Sequence, residues 1–197
     1  MSKHTNDSES AERYNLRSEI YEWFEAIVFA IVTVVIIFTF VFRVVGVQGE
    51  SMKDTLNEQY VHVTNEVEDR LIISNLFYKP KRGDIIVCAL PEEKPIIKRV
   101  IAVEGDVLKI NPQTGEVYIN DKKLDEPYVR DEPYIPSGSY ECGPVKIKEG
   151  HVFVMGDNRN NSKDSRYNVV GQIDEKYILG KALIRIYPFD HFGSLYD

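Results

Sequence analysis

DIIVCAL-PEEK-PIIKRVIAV, residues 84–103, decides how this chain folds. Its two apolar runs, 84–90 and 95–103, are short, rich in Ile and Val, and separated by a polar Pro-containing loop. Runs of that length read as central strands rather than as helices, which need ten or more periodic residues. Working outward, the same grammar recurs. DVLKI (106–110) leads into an Asn-Pro-Gln-Thr-Gly turn at 111–115, and EVYIN (116–120) and KKL (122–124) flank an Asn120-Asp121 turn, the signature of a hairpin. Upstream, QYVHVT (59–64) alternates and DRLIIS (69–74) is apolar. Downstream, HVFVMGD (151–157) and KALIRIYP (181–188) complete the set. No stretch after residue 50 has a long helical period and no repeat is visible, so this part is expected to be a mainly β domain of about 150 residues.

The amino-terminal part differs. AIVFAIVTVVIIFTFVF, residues 26–42, is 17 residues without a charge. At about 1.5 Å per residue a helix of this length spans about 26 Å, close to the hydrocarbon core of a bilayer. Tyr21, Trp23 and Phe24 stand where an interfacial aromatic belt would lie. A buried core helix would carry a polar stripe. A cleavable leader would have a shorter apolar stretch behind a basic region, whereas the 25 residues preceding this one hold six acids against three bases. The reading is a transmembrane signal anchor at 26–42, preceded by a polar tail (1–25) and followed by the β domain (43–197). Lys3, Arg13 and Arg17 precede the span and Arg43 and Lys53 follow it, so basic charge leaves the orientation open.

Composition narrows the function. The chain has 197 residues, 43% hydrophobic and 28% charged, with a net charge of −7. An acidic chain without a Lys/Arg cluster is a poor nucleic-acid binder. Its two cysteines, Cys88 and Cys142, lie too far apart for a CxxC redox motif and are too few for a four-cysteine zinc site. Cys88 reads as a small core residue, and a bond between the two is left open. None of the four histidines, His4, His62, His151 and His191, sits in an HExxH pair or a ligand cluster, and no serine sits in a GxSxG elbow. No metal and no cofactor is expected. Glu92-Glu93 and Asp131-Glu132 read as solvated loop charge.

Three segments stand out together: VQGESMKDTL (47–56), IIKRVIAVEGD (96–106) and MGDNRNNSKDSR (155–166). Each alone has a plain structural reading, as a turn serine, a strand lysine pointing to water and an Asx-rich loop. Lys98 is the least ordinary. It alternates with Ile96 and Val100, while Arg99 alternates with Ile97 and Ile101, so one of the two bases has to face a partly buried side. A lysine in apolar surroundings has a lowered pKa, and a neutral amine can take the proton of a serine hydroxyl.

In this order and behind an apolar span, these segments resemble the bacterial type I signal peptidases. Gly49, Ser51, Met52, Thr55 and Leu56 match one family motif. Asp69-Arg70, Arg82-Gly83-Asp84-Ile85-Ile86-Val87, Lys98 to Ala102 with Gly105-Asp106, and Gly156-Asp157-Asn158-Arg159 with Ser162, Asp164, Ser165 and Arg166 match the others. The resemblance covers about residues 20–190. It implies a signal-peptidase/LexA-like Ser-Lys protease β fold on one amino-terminal transmembrane helix. It implies Ser51 as nucleophile, Lys98 as general base, Ser162 orienting the lysine, the Ser51 N–H in the oxyanion hole, Met52 beside the nucleophile, and Asp164 and Arg166 as a supporting ion pair. It further implies a cytoplasmic tail, an extracytoplasmic catalytic domain, membrane lipid and preprotein signal peptides as partners, and cleavage after small residues. Two departures stand out: Asp54 replaces a common proline, and Gly49 stands where some members have a serine as oxyanion donor. The 57 residues between Lys98 and Gly156 leave no room for a large inserted domain, as in the compact single-span Gram-positive forms. Two rivals are weighed against this. A soluble self-cleaving Ser-Lys protein of the LexA-like kind is opposed by the span. An anchored β domain that only binds a partner would be indifferent to loss of Ser51 or Lys98. Oligomeric state has no signature in the sequence.

Overall fold

The structure is a computed structural model that describes residues 3–53, 55–56, 68–91, 94–129 and 143–196, with side chains from residue 19 onward. The expected strand 59–64, His62, Asp54, Cys142 and the two acidic pairs lie outside the described residues. The chain divides into two compact units, 1–41 and 42–197.

The first unit is one helix, α1 (Lys3–Phe40). Expected as a polar tail, the segment before residue 19 is instead helical from Lys3. No glycine or proline occurs before Gly46, so nothing interrupts the backbone ladder where the polar sequence meets the apolar one. Residues Glu19–Phe40 are long and apolar enough to cross a membrane. Two threonines inside this stretch satisfy their hydroxyls locally: Thr33 Oγ1 donates to the Phe29 carbonyl at 2.8 Å and Thr39 Oγ1 to that of Val35 at 2.7 Å. A polar group in lipid must find such a partner within its own helix.

The second unit is built from two antiparallel sheets. Its strands are β1 (Phe42–Gly46), β2 (Arg70–Ser74), β3 (Ile85–Cys88), β4 (Ile96–Ala102), β5 (Val107–Ile110), β6 (Val117–Ile119), β7 (Lys122–Lys123), β8 (Val145–Lys146), β9 (His151–Met155), β10 (Ile173–Asp174), β11 (Ile178–Tyr187) and β12 (Gly193–Ser194). The large sheet runs β1-β2-β11-β3-β4-β9-β10 with β12 also on β11, and the small sheet runs β7-β6-β5-β8. Within the described residues the expected strands fall on β2 to β7, β9 and β11, while β8, β10 and β12 have no counterpart among the expected strands and β1 overlaps the apolar span drawn to Phe42. Phe42 belongs to β1, where it pairs opposite Ser74. The apolar run hides this boundary because strand and span use the same side chains.

Every residue of β3 is buried, since both its faces are covered. Ile85 and Val87 pack with Leu71, Ile73, Met52 and Leu56, while Ile86 and Cys88 pack with Val100, Val152 and Val154. The small sheet closes its own core, Leu108, Ile110, Val117 and Ile119, over Ile101, Phe153 and Met155. Its hairpin turns through Asn120 (φ 51°) and Asp121 (φ 63°), the positive pair that a two-residue loop demands. In chain order the small sheet is inserted between β4 and β9, and so between the lysine segment and the 155–166 segment.

At Gly180 in β11 a Cβ would lie 2.9 Å from the Ser74 carbonyl carbon and oxygen, main-chain atoms that cannot move aside. Gly180→Ala is expected to destabilise the fold by about 1–3 kcal/mol, read as a lowered melting temperature by circular dichroism of the solubilised protein.

Candidate active site

Ser51 opens a tight turn. Gly49 precedes it with φ +88°, a conformation that open space alone would not require but that only glycine adopts cheaply. The turn closes through Lys53 N–H to the Glu50 carbonyl (3.0 Å) and Leu56 N–H to that of Met52 (2.8 Å). Met52 and Leu56 are buried in the core and pin the turn, leaving Ser51 half-buried at its crest.

β4 brings Lys98 to this crest. Its Nζ lies 2.6 Å from Ser51 Oγ and 3.1 Å from the Ile97 carbonyl oxygen. The side chain is only 4% exposed. Burial lowers its pKa to about 8, against the opposing pull of the Asp164 and Asp157 carboxylates. An amine so placed can lose its proton near neutrality and accept the hydroxyl proton it touches.

Alternation along β4 demanded one buried base, but both are buried. Arg99 is 5% exposed. It is held by Asp157 through Nε–Oδ1 (2.8 Å) and Nη2–Oδ2 (2.7 Å) and donates from Nη1 to the Gly83 carbonyl. Alternation counts faces, and it cannot see a carboxylate that arrives from 58 residues away.

The segment after β9 clamps the serine turn from behind. Asn158 N–H donates to the Ser51 carbonyl (3.1 Å), and its side-chain amide donates to that of Glu50 (3.1 Å). Thr55 Oγ1 donates to Asp157 Oδ2 at 2.6 Å. Asp164, fully buried, accepts from Arg166 Nε (2.8 Å) and Nη2 (3.0 Å), from Gly156 N–H (2.9 Å) and from Ser162 Oγ (2.6 Å). Ser162 therefore stands at the centre with its hydroxyl given to Asp164, while the second partner of Lys98 is the Ile97 carbonyl. A Cβ on Gly156 would collide with both Ser162 Oγ and the Ser51 carbonyl oxygen, which fixes how closely the two segments meet.

A groove of about 360 Å³ runs up to the Ser51–Lys98 pair. Val45 to Gly49 form one wall and Lys94 to Lys98 the other, with Met52, Val87 and Leu179 between them. Among the described residues no three side chains of metal-ligating type come together. Cys88 is a free thiol in the core, its pKa pushed up to about 12 by burial. His151 Nδ1 lies 2.7 Å from the Glu149 carbonyl, away from the serine turn in its hydrogen bonding.

The sites foreseen in sequence, Ser51, Lys98, Gly49, Met52, Ser162, Asp164 and Arg166, thus gather in one place. Sequence reasoning assigns no role to Asp157, Thr55, Arg99 or Arg159. The signal for Asp157 was available, since it sits in the same Gly-Asp-Asn-Arg motif.

A fold of curled antiparallel sheets carrying a serine beside a buried lysine defines a class of peptidases, and comparison with known proteins narrows it. The chain belongs to the signal peptidase family, peptidase S26, whose pattern matches residues 20–187. It is 36% identical over 188 residues to a protein named probable signal peptidase I-2 from Synechocystis sp., covering 89% of this chain and 78% of that one. It is 35% identical over 185 residues to a signal peptidase I from Bacillus licheniformis, covering 89% and 93%. A solved signal peptidase I from Enterococcus faecalis aligns at 27% identity over 53% of this chain and 97% of that one, with a TM-score of 0.43.

Burial of Lys98 has a measurable stability consequence. The folded state gives up the proton near pH 8, whereas an exposed lysine of the unfolded chain does so near 10.5. Stability therefore rises as pH climbs between these values, and below them the buried charge costs about 3 kcal/mol. Lys98→Met is expected to melt above the parent at pH 7, with the gap closing beyond pH 10.5. Gly156→Ala, by contrast, is expected to lose at least about 100-fold in peptidase activity, because it drives Ser162 and Ser51 apart.

Proposed function

We propose that this protein is a membrane-bound serine endopeptidase that removes the amino-terminal signal peptides of exported preproteins, with Ser51 as nucleophile and Lys98 as general base. The observation that supports the pair most directly is the 2.6 Å contact between Lys98 Nζ and Ser51 Oγ on a lysine that burial brings toward neutrality.

In this reading the neutral Lys98 amine takes the Ser51 hydroxyl proton as Oγ attacks the scissile carbonyl. The ammonium then passes that proton to the leaving amine as the C–N bond breaks, leaving an ester on Ser51. The amine next deprotonates a water that attacks the ester, and Lys98 returns the proton to Oγ. The Ser51 N–H serves the developing oxyanion, in a turn whose glycine, Gly49, keeps the main chain open to it. Ser162 and Arg166 act through Asp164, which braces the segment behind the serine. Met52 packs beside the nucleophile.

The groove suits an extended peptide. Among the described residues, β1 ends the large sheet, and on β4 Arg99 to Ala102 pair with β9 while Ile96 to Lys98 have no strand on that second edge. A substrate strand can add to these edges, while the shallow apolar floor of Met52, Val87 and Leu179 admits small side chains. Ten residues separate the end of α1 at Phe40 from Ser51 in the chain. Residues 1–25 are assigned to the cytoplasm and 43–197 to the extracytoplasmic side, beside lipid, so that the apolar segment 26–42 spans between them.

The test is cleavage of a preprotein with an Ala-x-Ala site by the solubilised protein. The parent is expected to cut there, with kcat/KM climbing through about pH 8 as Lys98 deprotonates. Ser51→Ala and Lys98→Ala, folded by circular dichroism, are expected to lose at least about 1,000-fold. A Lys98→Ala variant cutting at the parental rate would remove the lysine from the mechanism.

A further inference from the structure

One corner of the chain grips two buried arginines at once. On leaving the small sheet, the chain turns at Glu126–Val129, closed by Val129 N–H to the Glu126 carbonyl at 3.0 Å. Tyr128 presents its ring face to Arg99, whose Cζ lies 4.0 Å from the ring centroid. Its hydroxyl donates to Glu126 Oε1 at 3.1 Å. The Glu126 carboxylate accepts from Arg159 Nη1 (3.1 Å) and Nη2. Arg159 in turn donates from Nε to the Gly156 carbonyl (3.1 Å), and its own carbonyl accepts from Arg166 Nη2 (2.7 Å).

These two arginines belong to the two segments that meet at the serine turn. Arg99 follows Lys98 on β4, and Arg159 belongs to the segment that carries Asp157, Ser162 and Asp164. Arg99 also neutralises Asp157, one of the two carboxylates whose charge reaches Lys98. A guanidinium over an aromatic face in a desolvated site is held electrostatically by the ring quadrupole. Tyr128 is uncharged, so its influence on the lysine has to pass through Arg99.

We propose that Tyr128, seated by Glu126, is a positioning residue for the proteolytic reaction: its ring holds the Arg99 guanidinium on Asp157 and thereby sets the field at the Lys98 amine. This rests on Lys98 being the base. The groups around that amine are Asp157, Asp164 and Arg166 from the segment after β9, Cys88 from β3 and the Ser51 hydroxyl from its turn, with Arg99 the next residue on its own strand and bound to Asp157. Asp157 and Asp164 favour the ammonium and Arg166 opposes it. Cys88 stays a neutral thiol. Loosening Arg99 leaves Asp157 less compensated, so the ammonium persists to higher pH.

The inserted small sheet therefore acts on catalysis as well as on stability, since its exit turn delivers the ring. The experiment compares, in the full solubilised chain, Tyr128→Phe, a trifluorinated phenylalanine at position 128 and Tyr128→Leu, measuring kcat and KM for preprotein cleavage across pH. Phenylalanine keeps the ring face and is expected to match the parent. Fluorination withdraws the ring's negative face without changing its shape, so that variant folds even if the leucine variant does not. Both it and the leucine variant are expected to move the acid limb of kcat/KM up by about half a pH unit, with KM unchanged. A limb at the same pH in every folded variant, with or without lost activity, overturns the proposal while leaving the lysine base standing. A parent whose kcat/KM shows no acid limb at all removes the lysine reading and this proposal with it.

Discussion

An amine almost sealed from water, touching a hydroxyl, is the constraint around which this domain is arranged. A lysine prefers water, and only strong enclosure keeps Lys98 at 4% exposure. β4 meets that demand by pairing with β3 from Ile96 to Arg99 and with β9 from Arg99 to Ala102, which buries most of the strand. The serine turn then closes the remaining side, held down by Met52 and Leu56 in the core. Desolvation that would be a defect elsewhere lets this amine shed its proton at a lower pH than an exposed lysine does.

Enclosure of one charge forces the handling of the rest. Asp157, Asp164, Arg99, Arg159 and Arg166 are all buried near the same place, and an unpaired charge among them would be costly. Each is matched: Asp157 with Arg99, Asp164 with Arg166, Arg159 with Glu126. All three pairs are bidentate and fix direction as well as charge, because a planar guanidinium accepts only one orientation of a carboxylate. Polar atoms here do what apolar packing does in the three cores, which is to allow one arrangement of the segments and no other.

Much of this was legible in the residues. Short Ile/Val runs and the Asn120-Asp121 turn marked the strands, because strand length and positive-φ turns are local properties. Lys98 stood out because charge inside an apolar run is a local contradiction. What could not be read was remote. Arg99 is buried because Asp157 meets it, and Tyr128 is near the site because an intervening sheet returns the chain there. The start of α1 at Lys3 is hidden for a different reason: its first residues are polar and carry no apolar stripe, although none of them breaks a helix. The strand at Phe42–Gly46 was hidden by its likeness to the apolar span it follows.

The groove beside Ser51 is walled on both sides by main chain with strand edges to offer, and its floor is lined by aliphatic side chains without charge. An occupant paired to such edges is recognised by the backbone that all peptides share. In the proposed reaction, discrimination would then fall to bulk: a side chain that fits the floor would be admitted and a larger one refused. Such a filter would reject by shape instead of selecting by sequence, so a single catalyst of this design could serve a whole population of clients whose primary structures have nothing else in common.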